Sequence, residues 1–157
     1  IRVGAQSEVE MKEKKDLFDD AILATKAAME EGIVAGGGAA LIHSAKGLNR
    51  DEKSDYDIGY NIVVNACSSP MEAILQNSGC EPLPIIDIVK GAESNTYGYN
   101  VMEDSYTDMV ENGVIDPTKV VRTALEKAVS VAGTLLTTEC MIVNEPEEKR
   151  EPKADQI

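Results

Sequence analysis

Apolar residues in this chain recur mostly three and four positions apart, the period of a helix with one face turned to a core. The longest such stripe is Leu17, Phe18, Ala21, Ile22, Ala24, Thr25, Ala28 and Met29, with Glu13, Asp16, Asp20, Lys26 and Glu31 mostly off it. It predicts a long helix with a buried face. Ser7 and Glu10 in "SEVE" mark its start, because the S-x-x-E arrangement ties up free amide donors. Gly32 is placed to end it as a left-handed C-cap. After three consecutive glycines, Gly36 to Gly38, "AALIHSAKGL" predicts a second helix and "NRDEKSDYD" a solvated, charged connection. "IGYNIVVNACSS" and "PMEAILQNSG" predict two more helices, the latter with Pro70 in its first turn and Gly79 as its stop, and "EPLPIIDIVKG" a short one. "NTYGYNV" has strand and tight-turn character. "DPTKVVRTALEKAVSVAGTLLTTE" predicts a last helix with Asp116 as N-cap, Pro117 at the first helical position and an apolar face from Val120 to Leu135. "CMIVNE" predicts a short closing strand, and the charged tail "PEEKREPKADQI" predicts no ordered element. The class is mainly α with a few short strands.

Composition narrows the partners. The 157 residues suffice for one ordinary domain, but with no Trp and one Phe the core must be filled by Val, Ile, Leu, Ala and Met, and the methionines read as core. Twenty-eight acidic against fifteen basic residues give a net charge of −13, which disfavours phosphate backbones and anionic membrane surfaces. Nucleic acid and membrane partners are not expected. Cys67, Cys80 and Cys140 are widely spaced without a CxxC pair, and His43 is the one histidine, so neither a disulfide framework nor a zinc site is indicated. The cysteines read as small hydrophobes or spectators, and His43 as a residue on or beside a helix surface. A reducing compartment is the expectation. The first residue is Ile within a strand-like "IRVGA", the expectation for a chain that is processed or is a piece of something longer.

Four stretches together carry a resemblance: "VEMKEKKDLFDDAILATKAAMEEGIVAGGGAALI", "YGYN", "GVIDPTKVVRTALEKAVSVAG" and "LLTTECMIV". In this order and spacing they resemble the C-terminal part of a group I chaperonin large subunit, the GroEL type. The resemblance implies a helical equatorial-domain half with a few short strands, preceded by a long intermediate-domain helix. Residues 1–35 would be the intermediate-domain segment, 36–145 the C-terminal half of the ATP-binding equatorial domain, and 146–157 a charged tail. It also implies a ring of identical subunits in the cytoplasm or an organelle matrix. Co-chaperonin and unfolded protein substrates would be held by an apical domain that this sequence lacks.

The glycines then acquire a second meaning. By themselves they read as a flexible connector or a close helix crossing. The resemblance implies that Gly37 lets the backbone approach the nucleotide's sugar, beside the free amides of a helix start. It further implies that Asn100, Val101 and Met102 line the adenine pocket, that Val114 is an apolar neighbour, and that Asp116 accepts from a ribose hydroxyl. The plainer readings are a turn residue for Asn100 and an N-cap for Asp116. Asp20, by itself one carboxylate of a solvated acidic face, is implied to orient or activate the water that attacks ATP once the intermediate domain closes. Asp19 is its rival. No Gly-Asp-Gly-Thr-like phosphate loop is present, so the Mg²⁺ ligands are expected in a missing N-terminal half and this segment alone is expected to be inactive. The alternative from another class is a non-enzymatic helical interaction module that no longer binds nucleotide.

Overall fold

The computed structural model describes residues 1–144. Its first helix, α1 (Glu8–Glu31), begins where the capping residues predict: Ser7 Oγ accepts from the Glu10 amide at 3.2 Å, and Glu10 accepts in return from the Gln6 amide at 3.2 Å. Gly32 closes it at a φ of 80°, but its ψ of −165° is not that of the expected left-handed cap. This region of backbone space is open essentially to glycine alone, and it turns the chain directly into a strand, β1 (Ile33–Ala35).

β1 pairs antiparallel with β4 (Ile115–Pro117), Val34 opposite Asp116. This pairing corrects two expectations: Asp116 is not a helix N-cap, and Pro117 is not a first helical residue. The last helix, α6, runs Thr118–Leu136 behind Pro117, with no side-chain cap. Pairing to β1 holds Asp116 extended, and Pro117 is tolerated because it ends the strand. The Thr118 amide donates to Gly32 O at 3.1 Å, joining the end of α1 to the start of α6. Side chains fasten the same junction. Arg122 donates to both Glu31 oxygens, at 3.0 and 2.6 Å, and Lys119 pairs with Glu30.

The core lies elsewhere. It is built by α2 (Ala39–Ala45), α4 (Ser69–Ser78), α5 (Pro82–Gly91) and the hairpin of β2 (Tyr97–Asn100) with β3 (Ser105–Asp108), in which Tyr99 faces Tyr106. Ala39, Ile42, Met71, Leu75, Ile86, Val89, Tyr99 and Met109 are buried members of it, joined by Ala35 from the end of β1. Pro70 and Gly79 bound α4 as expected, Gly79 in the left-handed conformation. α3 (Asp55–Ala66) takes its first turn from the end of the charged connection, capped by Ser54, which accepts from the Asp57 amide. The connection is held down by buried Asn61, whose amide group accepts from Arg50 N and donates to Arg50 O, both at 2.9 Å.

The stripe on α1 is not buried. Leu17, Phe18 and Met29 are 69%, 45% and 83% exposed, and neither α1 nor α6 buries a residue. α6 and β4 pack against only the C-terminal part of α1, so its remaining apolar positions face no partner element among the described residues. α6 likewise leaves an apolar groove of about 640 Å³ against α3 and α4, lined by Ile62, Val63, Pro70, Leu125, Ala128 and Ala132. Of the methionines, Met71 and Met109 are core, whereas Met11, Met29, Met102 and Met141 are exposed. Residues 140–144 form no strand, because no other segment pairs with them, and Met141, Ile142 and Val143 are exposed. Glu145 and the tail lie outside the described residues.

The three glycines join these parts in a tight turn from β1 to α2, closed by Ala39 N donating to Gly36 O at 3.2 Å. A Cβ on Gly38 would lie 2.7 Å from Met71 N, and Gly38 sits at a φ of 81°. Gly47 has a similar φ of 73° but nothing within 4 Å. Gly38→Ala is therefore expected to destabilise by roughly 2–4 kcal/mol, strain and overpacking together, and Gly47→Ala by roughly 1 kcal/mol from strain alone. Urea melts of the two variants check this, and equal losses would contradict the packing assigned to Gly38.

Candidate functional site

The turn at Gly36–Gly38 is where the residues named by the resemblance begin to meet. Gly36 N donates to Val114 O at 2.9 Å, which sets Val114 directly beside the turn. Gly37 has a φ of 65°, a left-handed value that disfavours a side chain. A Cβ there would lie 3.0 Å from the terminal methyl of Met109 and 4.0 Å from Tyr99 O, next to Asn100. Gly37, Asn100 and Val114, remote in sequence, thus share one locality. Gly36 is bare for a different reason, since a Cβ would meet Val114 O at 3.0 Å. The close helix crossing therefore holds for Gly38 against α4, whereas Gly36 crosses the backbone leading into β4, and only Gly37 carries a Cβ direction met by a yielding side-chain end.

Asn100 ends β2 and is buried. Its Oδ1 accepts from Met102 N at 3.0 Å, the bond of an Asx turn, so the turn role is real. Val101 is half-buried against the core, whereas Met102 projects almost fully into solvent at the hairpin tip. Beyond Met102 the tip is tied by Tyr99, whose hydroxyl donates to Asp104, itself at a positive φ of 52°. That bond, with burial, raises the Tyr99 hydroxyl well above the usual tyrosine range.

Asp116 has another character. It lies on β4 two residues beyond Val114, half-buried, and burial pushes its carboxyl above the usual aspartate value. Among the described residues desolvation is the sole cause, with no opposing charge or hydrogen bond holding the ionised form. A half-buried carboxylate lacking such compensation is suited to pairing with an external donor, a hydroxyl for instance.

Asp20 is not brought to this place. It is exposed on α1, eleven residues before Glu31, which is about 16 Å along the helix axis from its C-terminal end at 1.5 Å per residue. Asp19 projects from the same turn toward the N-terminal segment, in a cleft with Ile1, Val3 and Phe18. No cluster of three or more His, Cys, Asp or Glu able to hold a metal ion exists among the described residues. His43 is on α2 as expected, though part-buried: Nε2 approaches Tyr97 O at 2.7 Å and so carries the proton, leaving Nδ1 buried without a partner. The cysteines are free, and Cys67 is buried, which raises its thiol.

The part that two residues play at the centre of the candidate site escapes sequence reading: Met109, read as core and buried as such, and Gly98. Met109 fills the space beneath Gly37, and Gly98 is bare because a Cβ would meet Met109 Cγ at 2.6 Å and Ala39 Cβ at 3.2 Å. Nothing in "TDMVENG" signals that Met109 reaches the glycine turn, and Gly98 reads as a turn glycine when only its neighbours are known. Their signal is a long-range contact.

Comparison with protein-family models gives one match that spans these elements: residues 1–146 fit the TCP-1/cpn60 chaperonin family.

The raised carboxyl of Asp116 generates a pH prediction. Its folded value lies above the unfolded one, so the folded state holds the proton more tightly and stability falls as pH rises through the window between them. At neutral pH the buried charge is a burden. Asp116→Asn is expected to raise the melting temperature at pH 7, with the gain shrinking as pH falls to the ordinary aspartate range. Thermal melts across pH check it, and a loss of stability at pH 7 would contradict the desolvation account.

Proposed function

The chain belongs to the TCP-1/cpn60 chaperonin family, and on that premise we propose that it supplies the adenosine side of the ATP site in a protein-folding chaperonin of the group I type. Half-buried Gly37 offers the sugar the backbone face of the turn that lies away from Met109. Val101 and Val114 cover the faces of the base, and Met102, exposed at the hairpin tip, is free to fold over it. Asn100 has Oδ1 committed to the turn, so its Nδ2 is the group that reads the base edge. Asp116 accepts from a ribose hydroxyl, which offsets the desolvation of its carboxylate. Residues 1–35 act as the intermediate-domain segment and 36–145 as half of the equatorial domain, in a ring of identical subunits in the cytoplasm or an organelle matrix. The phosphate loop, the Mg²⁺ ligands and the surface for unfolded substrates and co-chaperonin are assigned to other parts of the complete native polypeptide.

The observation that carries the reading is the meeting of Gly37, Asn100 and Val114 beside a carboxyl whose burial nothing compensates. Asp20 enters only through movement. Its place on an exposed face of α1, fastened to the rest at Glu30 and Glu31, suits a carboxylate delivered by a swinging helix to position the attacking water. The exposed apolar faces of α1 and α6 favour a second reading, a helical interaction module without nucleotide. ATP binding by the complete polypeptide separates the two.

Asp20 provides the kinetic test. In the complete native polypeptide, Asp20→Ala is expected to lower single-turnover hydrolysis by about 10²-fold while equilibrium ATP binding changes little. Asp19→Ala should leave both nearly intact. Unchanged hydrolysis in Asp20→Ala, with loss in Asp19→Ala, would overturn the assignment of the water-positioning carboxylate.

A further inference from the structure

At the centre of the candidate site lies a side chain without polar chemistry. Met109 is 1% exposed. A Cβ on Gly37 would reach its Cε at 3.0 Å, and a Cβ on Gly98 its Cγ at 2.6 Å and Sδ at 3.0 Å. The thioether therefore runs from β2 to the glycine turn and fills the space that both glycines leave. The Met109 amide donates to Thr96 O at 2.8 Å, and its carbonyl accepts from Val114 N at 2.8 Å. By side chain or backbone, one residue sets the glycine turn, the strand leading to Asn100, and Val114 relative to one another.

We propose that Met109 is a positioning residue for the nucleotide site, a wedge whose length fixes the separation of the Gly37 turn from β2 and thereby the relative placement of Gly37, Asn100 and Val114 around the base and sugar. The inference rests on the adenosine-site reading above. An unbranched thioether suits the task, since it fills an irregular gap between two bare backbone segments where a β-branched side chain would not fit. Its removal lets the turn and β2 approach or drift, because a vacated core volume is only partly refilled. Met109 itself touches no substrate. Its effect is on geometry, so it should be read in selectivity as well as in stability.

The test compares ATP and GTP affinity with thermal melts in the complete native polypeptide, for wild type, Met109→Leu, Met109→Ala and Gly98→Ala. Met109→Ala is expected to weaken ATP binding by at least about tenfold and to narrow the ATP:GTP affinity ratio, while Met109→Leu, close in volume, retains both. Gly98→Ala presses on the same side chain from β2 without emptying the core. It is expected to weaken ATP binding in the same sense, and it decides the matter if Met109→Ala does not fold. A lowered melting temperature with unchanged ATP affinity and unchanged ratio in the folded variants would make Met109 a core residue only and overturn the proposal. Failure of the wild type to bind either nucleotide would instead overturn the adenosine-site reading, and this inference with it.

Discussion

The close approach of backbones at Gly36–Gly38 is the constraint on which the rest of the structure depends. Gly36 lies against the carbonyl of Val114, and Gly38 against the backbone of Met71 at the start of α4. No residue with a Cβ fits either position without displacing main chain. Because these contacts are backbone to backbone, they fix β1 on β4 and α2 on α4 at once. The hairpin is then set by Met109, which reaches back to the same turn. A small core of about nine buried side chains can hold several short elements because a shared turn anchors them.

The same constraint shapes the chemistry. At Gly37 the Cβ direction is filled by the terminal methyl of buried Met109, so a flat or sugar-like ligand would approach the turn from its other face. Asp116 is carried to the adjacent strand by the β1–β4 pairing, and there it is half-buried without compensation. Such an arrangement lowers stability without a visible structural return, the pattern expected where a site is kept ready for a partner. The exposed apolar positions of α1 and α6 are of a different kind, since they lie on helices that the described elements cover only in part.

Much of this was legible in the residues, and the failures have physical causes. Capping chemistry located the start of α1 and the bounds of α4, because Ser7, Pro70 and Gly79 act through local geometry. The mainly helical class followed from periodicity. Asp116 and Pro117 misled because D-P before a helical run is a strong local signal for a cap, yet pairing with Ile33–Ala35 extends both residues. That pairing joins segments some eighty residues apart in the chain, and nothing local announces it. Periodicity identified an apolar stripe on α1 correctly but could not say that it stays uncovered. In the candidate site, Gly37, Asn100, Val114 and Asp116 were named through family resemblance, whereas Met109 and Gly98 were not, since they touch each other across the fold.

The central claim is that the adenosine moiety lies between the glycine turn, the hairpin tip and β4. Photocrosslinking of the complete native polypeptide with an azidoadenine ATP analogue, followed by peptide mapping, tests it most directly. The account predicts adducts within Asn100–Met102 and in the segment from Val114 to Asp116, all suppressed by excess ATP. Suppressible adducts confined to other segments of the polypeptide, or none at all, would contradict it.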